Sequence, residues 1–423
     1  MPGHKGLGEL GCERYDITEI SGADVLYSAD GIIEESENNL TALYGTEHSF
    51  YSTQGSTLAI YAMLFLATKG SKRPLILAAR NVHTAFVKAA ALLDIEVEWL
   101  YPERQEHLCT CEISAPQLKG ALSNMSELPC AVYVTSPDYL GNMLDIAALS
   151  AVCREYGLPL LVDNAHGAYL KFLEKDLHPI TLGAAMCADS AHKTLPVLTG
   201  GAHLHISKDF PSYATNARKA LSLFASTSPS YLTLCSLDLC NRELSGGFAE
   251  DLAKICAAIV DTKSQIRVNG FFVEDSEPLK IVINAKRSGT TTEKIAKALR
   301  SSAIEPEFVD NEYVVLMPSV RTSEQELKKT LNALKSVDMS QNSDCENANF
   351  FPKTHEKAMS IREAILAESE SIKADDSEGR ICAALTVSCP PAVPIVVSGE
   401  KITKVDIELF KFYGVYDIDV VKE

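Results

Sequence analysis

The chain has 423 residues, a formal net charge of −17 and 46% hydrophobic residues. This length accommodates about two or three domains with a sizeable core, and the acidic charge argues against a protein that tracks nucleic-acid phosphates. No apolar run approaches the roughly 18 residues that cross a bilayer, and the amino terminus lacks the apolar core of a signal peptide. The 12 scattered cysteines favour reduced thiols. We therefore predict a cytoplasmic protein with no membrane and no nucleic-acid partner.

Short apolar runs alternate with helical segments between about residues 45 and 206. Turn residues bound the runs, which predict buried strands at Pro74–Ala79, Val97–Tyr101, Ala131–Thr135 and Leu158–Asp163. Helical spacing of apolar residues is found at Ser56–Ala67, Thr84–Leu93 and Ile146–Tyr156. Strands joined by helical crossovers predict an α/β fold with a mainly parallel, doubly wound sheet. Ligand sites of such sheets lie at the carboxyl ends of the strands.

A second, smaller α/β unit is predicted after a helical stretch at 215–265. Its strands are predicted at Leu279–Ile283 and Tyr313–Met317, and its helices at Thr290–Arg300 and Glu324–Ser336. A polar loop at Asp338–Asn349 and a helix near Met359–Ser371 follow. The predicted domains are a large domain, a small α/β domain, a linker and a C-terminal domain, at 1–265, 266–338, 339–357 and 358–423.

Two segments could contact a bound anion or ring. Gly55, Ser56 and Thr57 lead directly into an apolar helix, whose free N–H groups favour a phosphate. An ordinary helix cap explains the same residues. His83 follows a predicted strand, where its imidazole would lie flat on an aromatic ring unless it is only a cap.

Two further segments carry charges in apolar surroundings. Asp163 ends a fully apolar strand, and a buried carboxylate needs a positive partner such as a protonated pyridine nitrogen. The alternatives for Asp163 are a metal ligand and a helix N-cap. Lys193 is flanked by His192 and small residues, which suits an amine nucleophile of lowered pKa better than a surface lysine. The pair Cys109 and Cys111 is too weak a signal to predict a metal site.

Together these segments supply the parts of one pyridoxal 5′-phosphate (PLP) site. They are a phosphate-binding turn at Ser56, with Ser190 in reach, a stacking group at His83, a carboxylate at Asp163 and an amine at Lys193.

The sequence resembles the ornithine/lysine/arginine decarboxylases of PLP fold type I, particularly their short bacterial forms. The resemblance is carried by the segments 1–6, 163–168, 190–196, 226–231, 390–394 and 399–402, which read MPGHKG, DNAHGA, SAHKTLP, STSPSY, PPAVP and GEKI. Departures occur at Asn164, Tyr169 and Ala191, where the family often has Glu, His and Thr. The amino-terminal wing domain of larger relatives is not expected.

The resemblance implies a role for each matched residue. Lys193 would form the Schiff base, Asp163 would pair with the pyridine nitrogen, and His83 would stack on the ring. Lys193 or His192 would return a proton to the substrate. The implied cofactor contacts are Gly55, Ser56, Thr57, His83, Asp163, His166, Ser190, His192 and Lys193, with Thr227 or Ser228 reaching the phosphate across a homodimer interface.

The implied activity is decarboxylation of a basic amino acid to its amine for polyamine synthesis. Arginine is favoured, with lysine and ornithine left open. The candidate acidic partners for the substrate side chain are Glu307, Asp310 and Glu400. Other fold type I reactions, such as aminotransfer or aldol cleavage, a PLP-binding regulator and a structural interaction protein are the alternatives.

Overall fold

The computed structural model describes residues 2–103, 107–339, 354–385, 387–389 and 392–423. Most of the predicted linker at 339–357 lies outside these residues, as do Pro390 and Pro391 of the proline-rich motif.

A seven-stranded sheet forms the centre of the large domain. Its strands are β1 (His48–Ser52), β2 (Leu75–Ala79), β3 (Glu96–Leu100), β4 (Ala131–Thr135), β5 (Leu160–Asp163), β6 (Met186–Asp189) and β7 (Ala202–Ile206). The order is β1-β7-β6-β5-β4-β2-β3, in which β3, β2, β4, β5 and β6 are parallel and β7 is antiparallel to both neighbours. The four strands predicted from sequence are confirmed as β2 to β5, and the predicted α/β class is confirmed.

Helices cover both faces of this sheet. They are α1 (Ile32–Tyr44), α2 (Gly55–Thr68), α3 (Thr84–Leu93), α4 (Ala115–Asn124), α5 (Ile146–Glu155), α6 (Ala191–Thr194) and α7 (Ala214–Phe224). Side chains alternate along a strand, so Leu161 packs in one core with α2, α3 and α7, while Val162 packs in another with α4 and α5. Continuous apolar strands are therefore buried on both sides, as a parallel sheet requires.

The small unit is a second, antiparallel sheet backed by helices. Long helices α8 (Tyr231–Leu244) and α9 (Phe248–Val268) lead to β8 (Phe272–Val273), β9 (Ile281–Asn284), α10 (Thr292–Ser301), β10 (Phe308–Val309), β11 (Tyr313–Leu316) and α11 (Glu324–Lys335). The strand order is β10-β11-β9-β8. Because β8 and β10 are only two residues long, they carry too little pattern to be predicted from sequence.

The C-terminal part contains α12 (Ile361–Leu366), β12 (Ser369–Lys373), β13 (Val387–Cys389), β14 (Val393–Val396), α13 (Lys404–Phe412) and β15 (Asp417–Val421). The predicted helix near Met359–Ser371 is wrong beyond Leu366, because residues from Ser369 pair with β15 as a strand. Throughout the described ranges, no helix combines the length and apolarity needed to span a membrane.

Candidate active site

A small cavity opens at the carboxyl edge of the large sheet, where β2, β4, β5 and β6 end. Its wall combines titratable groups with a few apolar side chains. The lining residues are Ser56, Asn81, His83, Cys109, Thr135, Pro137, Tyr139, Asp163, Ala165, His166, Lys193 and Val393. Parallel strands bring segments that are distant in sequence to this one edge.

Lys193 lies in the single turn of α6, directly after β6. Its Nζ lies 3.1 Å from Nε2 of His166 and 5.7 Å from the ring centre of Tyr139. Burial lowers the pKa of the Lys193 amine, although the charges of Asp163 and Glu307 act in the opposite direction. An amine with a lowered pKa provides more of the uncharged form that attacks a carbonyl.

Asp163 is the last residue of β5 and is 2% exposed. Its Oδ1 accepts the N–H of Ala165 at 3.2 Å, and its Oδ2 lies 3.4 Å from the hydroxyl of Tyr133. Burial raises the pKa of Asp163 to about 6, even though the Lys193 charge lowers it. A cationic group placed beside this carboxylate would stabilise its charged form.

Two histidines complete the interior of the cavity. The ring of His83 accepts the N–H of Ala85 at 3.1 Å, which caps α3 and fixes the imidazole. Burial, followed by the Lys193 charge, lowers the pKa of His83 to about 4. His166 is 3% exposed, and burial lowers its pKa well below the ordinary value. Both rings are therefore neutral at pH 7.

The first turn of α2 reaches the cavity at Ser56, whereas Ser190 and Gly55 lie beside Ser56 and are not among the lining residues. The hydroxyl of Ser190 donates to that of Ser56 at 2.7 Å, which joins the Lys193 turn to the first turn of α2. Gly55 has φ +71°, and its N–H donates to the carbonyl of Gly200 at 2.7 Å. Glycine is the residue that adopts this left-handed conformation without strain.

A network of buried polar side chains surrounds the Asp189 carboxylate, next to the turn that carries Lys193. Asp189, the last residue of β6, accepts Nδ2 of Asn164 at 2.8 Å and lies 3.0 Å from Nε2 of His178. Nε2 of His205 lies 3.3 Å from the same carboxylate, and all three ionisable side chains are fully buried. The network connects the residue after Asp163 with the residue before Ser190, so it fixes the ends of β5 and β6 relative to each other.

Some of the expected cofactor residues do not line this cavity. The ring of His192 lies 2.9 Å from the carbonyl of Gly201, and Thr57 follows Ser56 in α2 without forming part of the wall. Thr227 and Ser228 are exposed on the segment before α8. An exposed position away from the chain's own cavity is what a contact to another subunit requires.

The three acidic candidates have different surroundings. Glu307, which is exposed, accepts the hydroxyl of Tyr139 at 3.4 Å on the cavity wall. Asp310 lies 2.6 Å from Nε2 of His107, with both side chains buried. Glu400 is 4% exposed and lies 3.2 Å from Nη2 of Arg80. Of the three, only Glu307 contacts a residue that lines the cavity in this chain.

Sequence reasoning missed part of the cavity wall. Asn81 and Thr135 lie at the ends of β2 and β4, so the strand-end argument that selected His83 would have found them. Tyr139 and Cys109 lie in loops, and no local sequence pattern indicates that these loops turn towards the cavity. Val393 is an apolar residue that reaches the cavity from the C-terminal part of the chain.

The site fits a polar ligand. Within the described part of the chain, Oδ1 of Asn81, Oγ1 of Thr135 and Nδ1 of His166 are buried and have no hydrogen-bond partner. A bound polar group would satisfy such atoms, which are otherwise costly to bury. The fold and this arrangement of lysine, carboxylate, imidazole and hydroxyl groups define the class of PLP enzymes of fold type I.

Comparison with known proteins identifies the family. The Orn/Lys/Arg decarboxylase major-domain model matches residues 12–285, and the C-terminal-domain model of the same family matches 344–417. The chain belongs to the Orn/Lys/Arg decarboxylase family.

Individual relatives cover nearly the whole chain. It is 28% identical to an arginine decarboxylase of Halalkalibacterium halodurans, over 96% of this chain and 87% of the relative. An arginine decarboxylase of Bacillus subtilis is also 28% identical, over 97% and 89%. Among solved structures, the lysine decarboxylase of Francisella novicida superposes with a TM-score of 0.82 at 16% identity, covering all of this chain and 78% of that one. This last likeness shows the fold.

Proposed function

We propose that the chain is a PLP-dependent decarboxylase of a basic amino acid, with arginine as the favoured substrate and lysine or ornithine as the alternatives. The observation that carries the proposal is the Lys193 amine, which has a lowered pKa and shares one cavity with Asp163 and His83. The family match and the two arginine decarboxylase relatives support the reaction and the substrate preference.

Each residue that the family resemblance assigns to the cofactor has a proposed task. Lys193 attaches the cofactor covalently, Asp163 pairs with its pyridine nitrogen, and His83 lies on its ring. Gly55 is proposed to contact the phosphate, and the phosphate or the ring is the proposed contact of Ser56, Thr57, Ser190 and His192. PLP, when bound, withdraws electrons from the bond that breaks at the substrate α carbon. Asp163 would keep the pyridine nitrogen protonated, and the positive charge on that nitrogen is what lets the ring accept the electrons.

Proton return is proposed for Lys193, with His192 as the alternative. Two observations favour Lys193. Its Nζ lies in the cavity, 3.1 Å from the neutral imidazole of His166, whereas the His192 ring lies against the Gly201 carbonyl. A general acid must reach the accepting atom, so its position is decisive.

Glu307 is the proposed partner of the substrate's distal cation. It contacts the cavity-lining Tyr139, while Asp310 and Glu400 are occupied by His107 and Arg80. A carboxylate binds a guanidinium through two parallel hydrogen bonds, which gives arginine the geometric advantage.

A homodimer, or a larger homo-oligomer, with shared sites is part of the proposal. Support comes from the exposure of Thr227 and Ser228, which the family resemblance assigns to the phosphate of a partner subunit. Three further points stay predictions: the domain boundaries at residues 265, 338 and 357, the cytoplasmic location and the role in polyamine synthesis.

The test is product identification. Purified protein is incubated with PLP and, in parallel, with arginine, lysine or ornithine, and the amines are identified by mass. Agmatine as the dominant product supports the proposal. Cadaverine or putrescine as the dominant product would correct the substrate, and a keto acid without any amine would contradict decarboxylation.

A further inference from the structure

We propose that Arg80 is a positioning residue that holds the C-terminal segment 392–397 against the cavity, so that this segment forms one wall of the site in the same chain. The inference rests on the proposed function, because it adds a residue to the site described above. It assigns a role in the site to a part of the chain that lies far from the Lys193 turn in sequence.

The segment reaches the cavity directly. Val393, 6% exposed, lines the cavity together with His83 and Lys193. The carbonyl of the preceding Ala392 accepts the N–H of Thr84 at 2.9 Å. Thr84 follows His83 and begins α3, so the segment supplies an acceptor to the first turn of the helix that His83 caps.

Arg80 makes the contacts that hold this segment. It follows β2 directly and is 4% exposed. Its Nη1 donates to the carbonyl of Pro394 at 3.1 Å, and its Nη2 donates to the carbonyl of Ile395 at 3.0 Å. A planar guanidinium can reach two successive carbonyls at once, which the compact ammonium of a lysine cannot do in the same geometry.

Glu400 pairs with the buried charge of Arg80 and also binds the carboxyl-terminal end of the segment. Its Oε2 lies 3.2 Å from Nη2 of Arg80 and accepts the N–H of Val397 at 2.8 Å. A buried guanidinium is costly unless it is paired and hydrogen-bonded, so the carboxylate is what permits Arg80 to be placed here.

Because Arg80 contacts two carbonyls of segment 392–397, the position of this wall of the cavity depends on Arg80. Arg80 and His83 both belong to the short stretch between β2 and α3, and the segment contacts Arg80 and Thr84, the residue that follows His83. Loss of the Arg80 contacts would free Val393 and open the cavity on that side. Because the wall encloses the cavity without carrying the reacting amine, we expect substrate binding to suffer more than cofactor attachment.

The experiment compares variants of the holoenzyme by hydrogen–deuterium exchange and by kinetics. In the double variant Arg80→Gln/Glu400→Gln, both buried charges are removed together, so that no unpaired charge remains. Amide exchange in peptides covering 392–397 should accelerate by about tenfold or more, and KM for arginine should rise by about tenfold, the factor that corresponds to roughly one lost hydrogen-bonded contact. Arg80→Lys, which keeps the charge, should give an intermediate effect.

The matched control is Arg380→Gln. Arg380 also binds a carboxylate and a carbonyl in the C-terminal part, with Glu370 at 2.7 Å and the carbonyl of Val421 at 2.9 Å, but it does not line the cavity. This variant should leave both KM and the exchange of 392–397 at wild-type values. Equal effects from Arg380→Gln and the double variant would overturn the proposal, because they would indicate a general loosening of the C-terminal part.

Exchange at the wild-type rate in the double variant would also overturn the proposal, whatever happens to activity. If the double variant does not fold, Arg80→Lys supplies the exchange measurement. Val393→Ala, which leaves Arg80 intact, then supplies the kinetic measurement. An unchanged KM in that variant would contradict the claim that the segment forms a wall of the cavity. A wild-type protein that forms no amine would contradict the proposed function alone, because the exchange measurement does not depend on turnover.

Discussion

Nζ of Lys193 lies 3.1 Å from Nε2 of His166, and burial lowers the pKa of both groups. A neutral imidazole holds the amine by a hydrogen bond without adding charge to the cavity. The contact therefore fixes the position of the amine while leaving its uncharged form accessible. Asp163 supplies the negative charge nearby, and its own pKa is raised by burial to about 6. These opposed shifts within one cavity are typical of a site that performs chemistry.

Replacement of Asp163 tests the carboxylate. Asp163→Asn keeps the shape of the side chain and removes its charge, so the fold should persist while stabilisation of the transition state is lost. We expect kcat to fall by about a hundredfold or more. Thermal unfolding of the same variant checks the fold, and wild-type kinetics in a folded variant would show that Asp163 does not face the cofactor.

The titration of His83 tests the electrostatics of the cavity. Burial lowers the pKa of His83 from 6.5 to about 4. Since the folded-state pKa lies below the unfolded value, the unfolded chain binds more protons between these pH values. The contribution of His83 to the free energy of unfolding is therefore present above pH 6.5 and is lost as the pH falls towards 4.

NMR on the cofactor-free protein measures this directly, with His83→Asn to assign the signal. The ring should remain neutral at about pH 6, well above its folded-state pKa. A midpoint near the ordinary value of 6.5 would mean that His83 is solvated and does not belong to a buried cavity.

Substitution of Glu307 tests substrate recognition. Glu307→Gln should raise KM for arginine by about tenfold, because a charge-assisted pair becomes a neutral contact, and should leave PLP affinity unchanged. Glu305→Gln is the matched control, since Glu305 is an exposed carboxylate two residues away that pairs with Arg300 at 2.7 Å. If both variants retain the wild-type KM, Glu307 does not bind the substrate.

The central sheet was predictable where local pattern and burial agree. Strands β2, β4 and β5 are almost wholly apolar and lie between turn residues, which gives a clear signal. Strand β3 alternates the exposed Glu96 and Glu98 with apolar residues, which is the period-2 pattern of a half-buried strand. Strand β7 has no such signal, because His203 and His205 alternate with apolar residues in its sequence. Those histidines are buried within the structure, and the Asp189 carboxylate beside His205 comes from another strand. The sequence of β7 itself therefore does not show that His205 has a buried carboxylate as its partner.

The cavity was predictable in part for a similar reason. Lys193, Asp163 and His83 are polar residues in apolar or strand-end positions, and that contrast is visible in sequence. Val393 shows no contrast, because it is one apolar residue among several in β14. Its place on the wall depends on contacts between Arg80 and a segment more than three hundred residues away, which only the folded chain brings together.

The site of covalent cofactor attachment tests the central claim most directly. The protein is loaded with PLP, reduced with borohydride, digested and mapped by mass spectrometry. Lys280 is the rival nucleophile, because it is also buried with a lowered pKa and lies 5.8 Å from the Tyr139 ring, close to the 5.7 Å of Lys193. We predict that the pyridoxyl group is found on Lys193 and that Lys193→Ala abolishes the labelling. A pyridoxyl group on Lys280, or on any other lysine, would contradict the assignment of this cavity as the active site.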